Sequence, residues 1–580
     1  MFKLLKNLKL KDVFLLLLVV VLIFAQVALE LQLPKYMTQI VNGITADDIN
    51  QILSTQQILY LGLNMILISL GSVICSIVVG YIVARIGAGF SRNVRAKFFK
   101  KVESFSMQDM SSFSTSSLIT RTTNDISQVQ SLLTMGIRIL ITAPLMGIWS
   151  IIEIVRVSAS MSVATAIAIF VLVALIVTIF VIAIPKFKKI QTLTDKTNLV
   201  TRENLTGLRV VRAYNSEQFQ ESRFEEVNSN LTKTNLFVSR IMSLLSPVMI
   251  LTLSGLTLFI YWFGSSLVSK QLLNIGQLMA FAQYSMMILS SFSMLTMVFI
   301  MLPRASVSAK RVNAVLDTKN VIDYPSQTTS EVGISGEVEF KNVSFKYPDA
   351  EDCVLKNISF VAKKGQTVAF IGSTGSGKST LINLVPRFYD VTEGEVLVDG
   401  VDVRNYTKSE LVDKIGYVPQ RGMLFRGTIM SNIRYGKEDA TEEEVKKACS
   451  IAQASNFIAR FKDGYDHEIA QGGTNVSGGQ RQRLSIARAI VKKPEIFIFD
   501  DSFSALDYKT DKKLKKALKK EVSDATKLIV AQRVGTIIDA DLIIVLENGE
   551  MVGSGTHEQL LKTCEVYKEI ASSQLSKEEI

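Results

Sequence analysis

Apolar positions are spread unevenly along the chain. Up to about residue 302 they gather into long runs; from about Gly336 they break into short, strand-length runs separated by Gly-containing turns. Six runs fill the first part: Val13–Leu33, Ile58–Arg85, Ile137–Val155, Ser160–Ile184, Pro247–Val268 and Gly276–Leu302. Each is long enough, at about 1.5 Å per helical residue, to cross a hydrocarbon core of about 30 Å. A secretory signal is the rival reading of the first run, but no small-residue cleavage site follows and the run is too long. The connections between the second and third runs and between the fourth and fifth lack Pro–Gly clusters. They carry mixed charge at helical spacing, as in Arg202-Glu203-Asn204-Leu205. Structureless loops of about fifty residues are rare in compact proteins. The pattern therefore predicts membrane helices that continue beyond the bilayer and turn near residues 106–113 and 213–222.

Charge sets the orientation. The short connections, Pro34–Gln57, Arg156–Ala159 and Ser269–Ile275, hold chiefly Lys35, Arg156 and Lys270. The long ones hold Arg92, Arg95, Lys97, Lys100, Lys101 and Arg121, then Lys186, Lys188, Lys189, Lys196, Arg202, Arg209 and Arg212. The positive-inside rule places both chain termini in the cytoplasm of a multi-pass cell-membrane protein. The start of the chain, with Lys3, Lys6 and Lys9 among Phe2, Leu4, Leu5 and Leu8, is amphipathic and suits the inner interface. Composition agrees: 48% hydrophobic and 20% charged residues over 580 positions exclude disorder as the main state. The net charge of +11 could suggest nucleic acid, but cytoplasmic topology residues explain it, and no nucleic-acid partner is expected. The four cysteines are too scattered for a disulfide framework or a metal cluster. With only His467 and His557, any mechanism needing several histidines fails.

In the second part Val338-Glu339-Phe340, Thr367–Ile371, Glu495–Phe499 and Leu528-Ile529-Val530 read as strands with helical patterns between them. The expected fold is thus an α-helical polytopic membrane domain (residues 1–315), with six transmembrane helices extended into the cytoplasm. A linker (316–335, with the polar stretch Pro325–Ser330) leads to an α/β P-loop nucleotide-binding domain (336–580). Gly372-Ser373-Thr374-Gly375-Ser376-Gly377-Lys378-Ser379 fits G-x-x-x-x-G-K-[ST], between an apolar strand and a helical run opened by Thr380. Its backbone N–H groups can curl around phosphates, Lys378 supplies a cation to them, and Ser379 offers an oxygen to Mg²⁺. Ile496-Phe497-Ile498-Phe499-Asp500 is a buried strand ending in a carboxylate. Asp500 would hold Mg²⁺ through water; a helix-capping aspartate is the plainer alternative.

Asn475-Val476-Ser477-Gly478-Gly479-Gln480, followed by Arg481-Gln482-Arg483, resembles the signature of ATP-binding cassette (ABC) proteins. Six spans followed by one cassette resemble an ABC exporter half-transporter. Glu203-Asn204-Leu205-Thr206-Gly207 and Val210-Val211-Arg212-Ala213-Tyr214 resemble that subfamily's second intracellular loop, so the resemblance covers essentially the whole chain. It implies ATP and Mg²⁺ as ligands, and a signature (Ser477, Gly478, Gly479, Gln480) that caps the nucleotide held by a partner's cassette. It also implies Tyr347 as an adenine platform, where a surface tyrosine is the alternative. Gln420 becomes the Q-loop residue touching Mg²⁺ and facing the membrane domain, and Ser504-Ala505-Leu506-Asp507 a loop at the dimer seam.

The signature departs from the family only in Val476, a volume-near swap for Leu, but two other departures matter. After Asp500 an active cassette usually has Glu; here it is Asp501. The switch position after Leu528–Ala531, usually His, is Gln532. An Asp carboxylate sits about 1–1.5 Å back, and about 1 Å of misplacement can cost roughly 10²-fold. Gln can bond a phosphate oxygen but carries no positive charge. Tight binding with slow hydrolysis is expected. The pair resembles the degenerate-site subunit of bacterial heterodimeric multidrug ABC exporters, whose partner half-transporter has the consensus Glu and His. That resemblance implies amphipathic small molecules as cargo in a lipid membrane, with lipid or peptide export, or an ATP-gated channel, as alternatives; neither a charged ring nor a long regulatory insert is found. The sixth run carries Met279, Met286, Met287, Met294, Met297 and Met301 with Phe281, Phe292 and Phe299, a face suited to a promiscuous pocket or to plain helix packing. Glu30 and Glu153 are intramembrane carboxylates open to cation contact, though Glu153 could pair locally with Arg156.

Overall fold

The computed structural model describes residues 2–6, 10–45, 52–328, 335–348 and 350–575. Leu8 and Lys9 of the amphipathic start and Ser330 of the polar connection lie outside the described residues, as does the side chain of Phe299. The chain forms two units. One comprises residues 1–101 and 115–317; the other comprises 102–114 and 318–580.

The first unit is helical. Its six apolar helices are Leu10–Ile44, Thr55–Glu103, Thr115–Val157, Ala159–Thr206, Glu217–Ser269 and Ile275–Leu316. A helix of 49 residues, such as Thr55–Glu103, measures roughly 74 Å, more than twice the hydrocarbon thickness, so these helices outrun their apolar runs. The first breaks at Leu31–Gln32 and resumes over Leu33–Ile44, with Pro34 in its opening turn. Pro34 lacks only a hydrogen bond that the first turn would leave unmade anyway. The long connections are helical, as their charge spacing predicts. The first turns around the short helix Met107–Ser111, which is counted with the second unit and is capped by Ser106 and Asp109. The second turns earlier than the sequence suggests. Its breaks lie at Gly207 and at Tyr214–Ser216, where Asn215 has φ 49°, and residues 217–222 already belong to the next helix. The third helix carries two π-helical segments, Arg121–Asp125 and Leu132–Gly136.

The second unit is built on β1 (Val338–Phe345), β2 (Leu355–Ala362), β3 (Thr367–Gly372), β4 (Glu393–Val398), β5 (Val401–Asp402), β6 (Ile415–Val418), β7 (Gly427–Thr428), β8 (Glu468–Ile469), β9 (Ile496–Asp500), β10 (Thr526–Val530), β11 (Leu542–Glu547) and β12 (Glu550–Gly555). The central sheet runs β12-β11-β3-β10-β9-β6 and is parallel except for the edge strand β12. All five residues of β9 are buried, as a strand covered on both faces requires. A second, antiparallel sheet runs β2-β1-β4-β5, and β7 pairs with β8. The central order sets β3, which carries the phosphate loop, one strand away from β9, which ends in Asp500. β10, which leads to Gln532, lies between them.

Candidate functional site

The loop after β3 is constrained by what surrounds it. Gly377 opens the helix Lys378–Leu384 at φ 93°; a Cβ there would also lie 2.7 Å from Leu355 Cδ2 and 3.0 Å from the Val354 carbonyl oxygen. Only glycine meets both demands cheaply. Lys378 folds over the loop, donating to the carbonyls of Gly372 (2.9 Å) and Ser373 (2.7 Å) and to Ser376 Oγ (3.2 Å). Burial pulls its ammonium below the ordinary lysine range, against the opposing pull of Asp501 and Asp500. Ser379 Oγ donates to Asp500 Oδ1 at 2.7 Å, which brings together the hydroxyl and carboxylate oxygens the sequence singled out. Burial raises the Asp500 carboxyl above the usual range, and the Ser379 hydrogen bond opposes that rise. An ammonium within the loop beside a hydroxyl–carboxylate oxygen pair is a donor set that fits a magnesium nucleotide.

Asp501 stands just past β9 at φ 45°, in the left-handed region that aspartate enters more readily than most residues. This conformation lets its N–H reach the Val530 carbonyl of β10 at 3.1 Å. Its Oδ2 accepts from Gln532 Nε2 (2.8 Å) and from Gln420 Nε2 (3.2 Å). Three residues far apart in sequence, all expected at the reacting end of the nucleotide, thus meet on one oxygen. Burial raises the Asp501 carboxyl as well, opposed first by the Gln420 hydrogen bond. Tyr347 packs edge-on to Tyr389 and Phe345, with its hydroxyl 3.1 Å from Thr380 Oγ1. That bond ties Tyr347 to the first helix after the phosphate loop.

The signature forms a helix start of its own. Ser477 caps the helix Gly478–Val491 through a reciprocal pair: Gln480 N donates to Ser477 Oγ (3.3 Å) and Ser477 N donates to Gln480 Oε1 (2.9 Å). Ser477 and Gly478 are exposed, whereas Val476 is buried in the hydrophobic core.

Two further glutamines escaped sequence reasoning. Gln482 is buried (2% exposed); it accepts from Gly422 N at 3.1 Å and donates to the Pro419 carbonyl at 3.0 Å, so the signature helix grips the backbone on both sides of Gln420. Gln574, on the last helix, Glu565–Gln574, accepts from Val534 N (2.8 Å) and donates to the Gln532 carbonyl (3.0 Å). Gln482 stands in the Arg481-Gln482-Arg483 run after the signature and Gln574 in no motif, and a polar residue on an amphipathic helix gives no hint of a distant backbone partner.

A phosphate loop, an acid-ended strand and a signature helix on one parallel sheet, preceded by six membrane-length helices, define a membrane-embedded ATP-binding cassette protein. Residues 16–292 match the ABC transporter transmembrane region and residues 355–504 the ABC transporter domain. The chain is 40% identical over 550 residues to an ABC transporter ATP-binding protein of Mycobacterium tuberculosis, covering 94% of this chain and 93% of that one. It is 34% identical over 559 residues to another from Bacillus subtilis, covering 96% of each. Its fold matches that of a bacterial Atm1-family ABC exporter with ATP bound, with a TM-score of 0.80, 25% identity and 98% of both chains covered. The chain belongs to the ABC transporter family, with half-transporter architecture, and is an ABC exporter subunit.

Proposed function

We propose that this subunit works in a heterodimeric exporter of amphipathic small molecules in the cell membrane, with both termini in the cytoplasm. Its own phosphate loop binds ATP but hydrolyses it slowly, and its signature completes the catalytic site on the partner's nucleotide. The observation that carries this reading is the convergence of Gln532 and Gln420 on Asp501 Oδ2. A carboxylate that positions or activates water needs a lone pair aimed at that water. Here two amides compete for the oxygen, the side chain is a methylene shorter than the usual Glu, and the switch residue bears no charge.

Binding needs neither Asp501 nor Gln532. Gly372, Ser373, Thr374, Gly375, Ser376 and Gly377 would surround the phosphates through backbone N–H groups, with Lys378 as the cation, Thr380 behind them and Tyr347 on the base side. Ser379, Asp500 and Gln420 would hold magnesium, which when bound neutralises phosphate charge. Ser477 and Gly478 are exposed at the start of the signature helix, which with Gly479 supports a signature acting on a partner's nucleotide; Gln480 fixes that helix start. Exposed Met279, Met286, Met294 and Met297 on the sixth helix support an adaptable apolar cargo, while Phe281 is buried among helices.

The test is steady-state ATPase of the purified chain alone and together with its native co-purifying partner, with and without amphipathic cargo. Little turnover alone and cargo-stimulated turnover in the assembly are expected. Vigorous hydrolysis by a homodimer of this chain would overturn the proposal.

A further inference from the structure

Two carboxylates, Glu30 and Glu153, lie within the six apolar runs, and their surroundings differ. Glu153 is buried and has two cations, Lys35 Nζ at 2.8 Å and Arg156 Nη1 at 3.6 Å. Glu30 has neither: among the described residues, no lysine or arginine lies within ion-pair distance of it. Its Oε1 accepts two neutral donors, Gln26 Nε2 at 2.9 Å and Ser72 Oγ at 2.9 Å. Arg138, which reaches the same second helix, donates instead to Ser76 Oγ at 2.7 Å, one turn away from Ser72.

Gln26 adds an independent observation. It is 8% exposed, and its Oε1, on the same carboxamide that touches Glu30, has no hydrogen-bond partner. Gln26 and Glu30 are four residues apart and share one helix face. Glu30 is only partly buried, and its carboxylate is tied to the second helix through Ser72. A carboxylate without a counter-charge inside a membrane is costly, and so is a buried acceptor without a donor. The carboxylate's deficit is met by a positively charged hydrogen-bond donor.

We propose that Glu30 and Gln26 form a recognition site for an organic cation, an ammonium or similar N–H-bearing group, on the exported amphiphile. Glu30 supplies the charge. Gln26 Nε2 and Ser72 Oγ keep the carboxylate in place. This inference rests on the proposed export of amphipathic molecules and specifies the charge of the cargo.

The experiment uses the full-length chain with its co-purifying partner in lipid nanodiscs. Binding of ethidium, a permanent cation bearing amino groups, and of uncharged N-phenyl-1-naphthylamine is followed by fluorescence. Glu30→Gln should weaken ethidium binding about tenfold or more, because it removes one partner of a charge pair. The uncharged probe should bind within about twofold of wild type, which also reports an intact fold. Glu30→Asp should keep part of the ethidium affinity, and Gln26→Leu should lose roughly threefold. Unchanged ethidium binding by Glu30→Gln, or equal loss of both probes, overturns the site. A wild type that binds the uncharged probe but not ethidium overturns the site and leaves amphiphile export standing. A wild type that binds neither probe while hydrolysing ATP overturns both.

Discussion

At Asp501 the backbone, the side chain and the charge state all have one origin, the end of a buried parallel strand. Burial raises its folded-state pKa above the ordinary aspartate value, so the ionised form is penalised in the folded protein. The favourable contribution of such a group is complete below the ordinary range near about 4 and is lost as pH rises through the raised value. Asp501→Asn should therefore raise the melting temperature of the nucleotide-free assembly at about pH 7.5, and the gain should shrink as pH falls. Lys378→Ala should weaken nucleotide binding at this chain's own site roughly ten- to hundredfold, the worth of a charge-assisted contact. Asp501→Ala should leave that binding largely intact and lower turnover of the assembly by less than about threefold, as read by photolabelling of each subunit alongside ATPase. Abolished turnover would make Asp501 the principal catalytic carboxylate. Contiguous motifs made the phosphate loop, Asp500 and the signature legible in the sequence. The meeting of Gln420, Asp501 and Gln532 was not legible, because it depends on three strand ends whose order only the folded sheet sets.

At the scale of elements, the helix Gly478–Val491 has two ends of work: an exposed start and a buried grip on the Gln420 segment through Gln482. Gly478→Asp places bulk and negative charge where phosphate is expected. It should reduce heterodimer turnover by about 10²-fold or more while nucleotide still labels this chain's own loop. Normal turnover would mean that this signature caps the non-catalytic site. Gln482→Leu leaves a buried N–H and a partly buried carbonyl without this partner, and should cost about 2 kcal/mol in urea unfolding of the nucleotide-free protein. Legibility of the elements followed the clarity of their periods. The long helices announced themselves by apolar length, whereas their ends did not, since mixed-charge helix continues where the apolar run stops. β1 extends to Phe345, well beyond the Val338–Phe340 pattern, because register shifts after Phe340 disguise its alternation.

For the whole molecule, orientation is the expectation that reaches furthest from the site. In intact cells a membrane-impermeant maleimide should label Ser269→Cys, at the exposed end of the fifth helix, and should leave the wild type unlabelled. The native thiols are poor external targets in that orientation: Cys75 lies within a span, Cys353 belongs to the cassette, and Cys449 and Cys564 are buried. Labelling of the wild type from outside would reverse the topology. Two-part architecture was legible from composition alone, since membrane and aqueous solvents select different apolar patterns. The grip of Gln574 on the Gln532 turn also bears on the order in which the protein is made. The ribosome emits the phosphate loop and the turn before the final helix, and Gln574 follows Gln532 by 42 residues. Until those last residues emerge, the carbonyl of Gln532 and the N–H of Val534 lack their partner. The newborn cassette thus acquires a place for phosphate early and the setting of its switch turn later, so premature termination just upstream of Gln574 would yield a chain able to hold nucleotide with that turn left untied.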